Sequence, residues 1–175
     1  MARGESVEQL LAAFADRTPA PGGGAAAGLG CALGAALAEM AARFAGSEAA
    51  VARAAQLRVE ALRLVDADLT AFAPVLAALR LERGDPERPA RIRAAQSEAA
   101  EVPLAIAEAA AEVAALARRV AAEGKPALRG DALAGADIAA GASIAAARLV
   151  EINLADAPDD PRLARARAAV ERTTG

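Results

Sequence analysis

The chain has 175 residues, a formal net charge of −3, no histidine, tryptophan or tyrosine, one cysteine and three phenylalanines. Its hydrophobic fraction of 55% rests on alanine, at about a third of all residues, which favours helix and disfavours β-sandwich, barrel and parallel-sheet folds. The missing histidine removes the usual neutral-pH proton shuttle, a single cysteine forms no internal disulfide or thiolate zinc cluster, and the mild charge gives no electrostatic reason to bind nucleic acid.

The length predicts one domain over residues 1–175. The first residues lack the apolar core of a signal peptide, and the lone cysteine fits a reducing cytoplasm. Ser6-Val7-Glu8-Gln9 is a capping-box pattern that opens a short first helix ending near Asp16. Thr18-Pro19-Ala20-Pro21-Gly22-Gly23-Gly24 reads as a loop, because two prolines and three glycines oppose helix. A second helix is predicted from about Ala25 to Ala45, with Leu29, Leu33, Leu37, Met40 and Phe44 in one stripe. Thr18 to Ala38 is uncharged and long enough to span a bilayer, but its alanines, glycines and prolines gain little from lipid, so no membrane span is expected.

Gly46-Ser47 ends that pattern, and Ser47 is placed to cap a third helix. Leu62, Val65, Leu69, Phe72, Leu76 and Leu79 form its heptad-like seam, and Pro74 should bend or unwind it. Gly84 to Pro89 reads as a loop. A fourth helix follows to Glu123, kinked at Pro103 and capped by Gly124. Lys125 to Gly130 reads as a linker and Asp131 to about Asn153 as a fifth helix. Asp160-Pro161 opens a last helix to Arg172. The expectation is an all-α bundle of five to six helices, with long kinked members. Large core residues are scarce, so dimerisation would supply missing burial. The second and fifth helices, neutral over most of their length, suit deep or intersubunit positions.

Three groups of residues are candidates for chemistry. Gly22, Gly23 and Gly24, behind Pro21 and ahead of a helix, could cradle an anion or a carbonyl oxygen, through glycine-only backbone angles or close approach. The loop lacks the Gly-Lys-Ser/Thr of a Walker A motif, and no strand precedes it as a dinucleotide fingerprint requires. Asp66 and Asp68 are two apart on a helix and flank opposite sides of the seam, with Asp68 on the side of Val65 and Phe72. A carboxylate at the edge of an apolar seam is partly desolvated and suits a general acid or base; the plain alternative is a solvated charge. Asp131 could act in a site or simply cap a helix. Asp137 stands alone in a neutral run, where burial would demand a partner. Lys125 and Arg129 are available for an anion, and Asn153 for a ligand or a turn. Cys31 reads as inert packing, and no metal-ligand spacing exists.

Three segments together resemble the cyclodeaminase-type domain of formiminotransferase-cyclodeaminase, a family that includes methenyltetrahydrofolate cyclohydrolases. They are Thr18 to Gly24 with Gly34-Ala35-Ala36-Leu37-Ala38-Glu39-Met40, then Leu64 to Phe72, then Ala100 to Leu104 with Gly130-Asp131-Ala132 and Ile152-Asn153-Leu154. The chain departs from the family pattern at Ala25, usually Ser, and at Gly46-Ser47, usually Gly-Lys. It departs again at Gly124-Lys125 and Gly130-Asp131, where Gly-Asn and Ser-Asp are usual. The resemblance implies a folate-type substrate with no tightly bound cofactor and no metal. It implies a site from Asp66, Asp68 and Asp131 as catalytic candidates, with Pro21 to Gly24, Lys125, Arg129 and Asn153 as binding candidates, at a homodimer cleft. The implied reaction is cyclohydrolysis of the methenyl group or ammonia release from the formimino group. The other reading is a catalytically silent helical dimer that binds a folate-like ligand or a protein partner.

Overall fold

A computed structural model describes residues 6–174. Its elements are α1 (Val7–Ala15), α2 (Gly23–Ala45), α3 (Glu48–Ala71), α4 (Ala73–Leu79), α5 (Arg88–Ala99), α6 (Glu101–Glu123), a 3₁₀ turn at Pro126–Leu128, α7 (Arg129–Asn153) and α8 (Pro161–Glu171). No strand occurs among the described residues, so the all-α expectation holds. Taking α3 with α4 and α5 with α6 as two broken helices gives six.

The breaks follow the prolines. α3 stops at Phe72 just ahead of Pro74, which lies in the first turn of α4. The fourth helix is not one kinked rod but two, parted at Ala100. Pro103 has no N–H to give the Ala99 carbonyl four residues back, and the Asn153 amide donates to that carbonyl instead, at 3.3 Å. Arg88 and Pro89 belong to α5 rather than to the preceding loop, since proline is tolerated in a first turn.

Other boundaries also shift. α2 begins at Gly23, two residues before the expected Ala25, because Gly22 as N-cap offers no side chain while a carboxylate from α3 receives the Ala25 N–H. α7 begins at Arg129, which makes Asp131 a first-turn residue and not the cap. Ser47 stands at the N-cap of α3 but its hydroxyl makes no capping bond. Ser6 forms the full capping box with Gln9, and Asp160 accepts from the Arg162 N–H.

α2, α6 and α7 form the centre, with α3 against α2 and α6, and α8 against α6 and α7. The core is mostly alanine. Among the largest fully buried side chains are only Leu57, Leu104, Ile106 and a few valines. Small residues let backbones approach closely. A Cβ on Gly34 would stand 2.7 Å from the Gly135 carbonyl oxygen and 3.0 Å from the Ala139 Cβ. α2 and α7 therefore touch backbone to backbone and run antiparallel, since Gly23 lies by Leu149 and Gly34 by Gly135. Glu39 is buried on α2 and bound by Arg43 and by Arg58 of α3, at 2.9 Å for the latter, which holds its carboxyl below the usual range. The hairpin of α4 and α5 has its own small core of Val75, Ala78, Ala95 and Ala99.

Candidate functional site

The start of α2, the last turn of α3, the root of α5 and the C-terminal end of α7 enclose a cavity of about 280 Å³. Gly22, Gly23, Gly24, Asp68 and Asn153 line it, as the sequence led us to expect. Asp68 is its only charged lining residue. The remaining walls are apolar, with Phe72, Leu149 and Ile152 on its sides and Pro19, Ala99 and Pro103 behind.

Asp68 is where α2 and α3 meet. Its carboxylate accepts the Ala25 N–H at the first turn of α2, and burial pushes its pKa up while that bond opposes the rise. It thus caps α2 across the bundle and keeps a basic, partly desolvated oxygen at the cavity wall. Gly24 makes this possible, because a Cβ there would lie 2.5 Å from the Asp68 Cγ and nearer still to Oδ1. None of the three loop glycines has a positive φ; among the described residues only Gly46 does, at 74°. The loop therefore uses glycine for close approach and not for left-handed backbone. Pro21 is half-buried beside the cavity, in a cis peptide with Ala20, but its ring does not line it.

The other candidates fall elsewhere. Asp66 is exposed on the outer side of α3, outside the cavity lining. Lys125, Arg129 and Asp131 are exposed at the far end of α7. At ~1.5 Å per residue, Asp131 lies about 33 Å from Asn153, so one chain does not unite it with Asp68. The expected cleft joining the glycine loop to the start of the fifth helix is not formed within one chain. Asp137 is exposed, so its charge needs no buried partner. Cys31 is buried, with its thiol pushed up to about 12, and is inert as expected. Among the described residues no group of three or more Asp, Glu, Cys or His could hold a metal.

The residues that sequence reasoning missed are the apolar walls. Phe72 had a usable signal: it follows Asp68 by four on one helix, so the two share a side. Leu149 and Ile152 had none, because their role depends on where α7 ends against α3 and α5.

Comparison with known proteins follows this geometry. A family model described as formiminotransferase-cyclodeaminase matches residues 6–172. The crystal structure of a formiminotetrahydrofolate cyclodeaminase from Thermotoga maritima superposes with a TM-score of 0.82 at 25% identity, over 99% of this chain and 96% of that one. No curated protein matches the chain. With the glycine loop, Asp68 and Asn153 gathered at one cavity and the family model spanning nearly all of the sequence, the chain belongs to the formiminotransferase-cyclodeaminase family.

Proposed function

We propose that the chain is a one-carbon tetrahydrofolate enzyme whose reacting carbon sits in the Asp68 cavity. The observation that carries this reading is a single, partly desolvated carboxylate in an otherwise apolar pocket. The methenyl group is a cationic amidinium, and a protonated formimino group is another. A carboxylate alone among apolar walls stabilises such a cation where water cannot screen it. Phe72 and Ile152 offer apolar surface to a flat ring system, and the Asn153 side chain offers polar atoms at its edge.

The same carboxylate serves either reaction. In cyclohydrolysis, water adds to the amidinium carbon and gives its proton to Asp68; the ring carbon–nitrogen bond then breaks as that proton passes to the departing nitrogen. In cyclodeamination, the second ring nitrogen of the folate attacks the protonated formimino carbon. Asp68 carries the proton from that nitrogen to the amine, which leaves as ammonia. Neither route asks more of the protein than a positioned base with a raised pKa. The neighbour's printed activity is cyclodeamination, which favours testing that substrate first.

The experiment is turnover by the purified chain, followed as loss of the methenyl chromophore with one substrate and as ammonia release with the other. Parental turnover that disappears in Asp68→Asn supports the reading. A second reading, the silent dimer, is favoured by one observation: capping α2 is a sufficient structural task for Asp68. A chain that binds tetrahydrofolates but converts neither substrate would establish that alternative.

A further inference from the structure

The large side chains of α2 point away from the bundle. Leu33 and Phe44 are 54% and 55% exposed, whereas Ala25, Ala35, Ala38 and Ala42 on the opposite side are fully buried. Covering alanine while exposing leucine and phenylalanine inverts the ordinary arrangement, and a contiguous exposed patch of this kind marks an interaction surface. α7 continues the patch beside α2. It exposes Ile138 and Ile152, and a Cβ on Gly141 between them would meet nothing within 4 Å. No charge interrupts the outward stripe from Ala26 to Phe44, since Glu39 faces inward. α1 buries none of its residues either.

We infer that this α2–α7 face is the interface between two copies of the chain, related by a twofold axis across the middle of both helices, and that each copy lays the first turn of its α7 over the mouth of the other's Asp68 cavity. A second copy fits because the face is self-complementary. Ala134, Gly141 and Ala145 form an exposed shallow strip on α7, and the leucines of α2 form a ridge. An isologous pairing sets each ridge into the other's strip. The area is also adequate. Two helices about 35 Å long and ~9 Å apart present roughly 600–700 Å² in projection, near the ~800 Å² per partner of a stable complex.

The twofold axis decides what reaches the cavity. α2 is centred on Gly34 and α7 on Gly141, and they are antiparallel. Rotation about an axis through these centres exchanges the two ends of the face. The end that holds Arg129 and Asp131 in one chain arrives at the end that holds Gly23 and Ile152 in the other. Ile152, 65% exposed, belongs both to the face and to the cavity wall. The cavity, with one carboxylate and no cation of its own, thereby gains the partner subunit's Arg129 and Lys125 at its mouth, with the partner's Asp131 as a second carboxylate. Those cations suit the carboxylate-bearing tail of a ligand. This last assignment rests on the proposed activity; the interface does not.

Two experiments test the inference. In the first, Asp131→Cys and Ile152→Cys are combined in one chain, and a short bismaleimide is added. The pair is about 31 Å apart along α7, beyond the reagent's reach within one chain, and buried Cys31 does not compete. Covalent dimer is the expected product, from a parent that light scattering shows to be a dimer at micromolar concentration; Leu33→Arg should be monomeric with its helicity retained. In the second, Asp68→Asn and Arg129→Glu chains, each impaired alone, are co-expressed. Mixed dimers hold one intact site, so about a quarter of parental turnover should return. A monomeric parent, a dimer that the reagent does not bridge, a chain dispersed only in detergent, or a mixture no more active than its components would overturn the inference. A bridged dimer that turns over neither substrate keeps the interface and removes the folate reading.

Discussion

Replacing Gly24 by alanine separates the structural task of the α2–α3 contact from its chemical task. The added methyl would stand 2.5 Å from the Asp68 Cγ, where carbon–carbon contacts settle at about 3.5–4.0 Å, so the carboxylate must move by ~1 Å or more. It is the far end of a short side chain with two rotatable bonds, so it swings aside while the backbones of α2 and α3 stay in place. The bond to the Ala25 N–H is then lost, at a cost of about 1–3 kcal/mol. Alanine in place of helical glycine returns up to ~1 kcal/mol. The net loss is about 0–2 kcal/mol, a fall in Tm of roughly 0–8 °C for a chain of this size. Activity should suffer far more, because a catalytic group displaced by ~1 Å loses on the order of 10²-fold. Circular dichroism melting and methenyl absorbance, read on the same preparation, give the two numbers. A Gly24→Ala protein that turns over substrate like its parent would refute the placement of Asp68 as the working carboxylate.

Asp68→Asn should cut turnover by about 10²–10⁴ while leaving the helical signal intact. In the parent, activity should rise with pH along a limb above the usual carboxylate pKa of ~3.9, because burial raises the native pKa and only the ionised form accepts a proton. The same rise means that the native state takes up a proton before the unfolded chain does, so ionised Asp68 costs stability above its native pKa, and this dependence should vanish in Asp68→Asn. Gly34→Ala gives the opposite pattern to Gly24→Ala. Its methyl meets the Gly135 carbonyl and the Ala139 Cβ, neither of which can swing away, so a stability loss of about 1–3 kcal/mol should appear by denaturant titration with the folded fraction still active. Glu39→Gln should cost about 1–2 kcal/mol at neutral pH, discounted because Arg43 and Arg58 are partly exposed. The carboxyl of Glu39 is held low, so that contribution is present above the unfolded value of ~4.3 and fades as pH falls through the lower native value; equal melting of parent and variant at pH 7 would exclude it.

Much of this was legible in the sequence. Ser6-Val7-Glu8-Gln9 and Asp160-Pro161 mark helix starts by local chemistry alone, and the structure keeps both. The proline positions foretell both broken helices, although not that Ala100 rather than Pro103 is the parting point. The start of α2 was misplaced because its cap comes from Asp68, more than forty residues away, and no local rule sees a cap supplied through space. The leucine stripe of α2 was correctly found, yet periodicity says only that residues share a side. Its outward direction became visible when the alanine side proved to be the buried one. Asp131 and Asp68 look like partners on the page and stand at opposite ends of the molecule, because α7 is one uninterrupted rod.

A core of alanine also changes what the fold tolerates. Burying an alanine freezes no rotamers, so ordering this interior costs backbone entropy and almost no side-chain entropy. Shrinking a core residue, the commonest route to destabilisation elsewhere, has few targets here, since Ala35, Ala38, Ala110 and Ala136 are already nearly minimal. Growth is the hazard. A valine at any of these sites adds volume between helices that have no slack to part. The interior should therefore accept glycine at a cost of about 1 kcal/mol per helical site and resist every larger residue. Selection on such an interior acts as a ceiling on side-chain size, which keeps the composition rich in alanine.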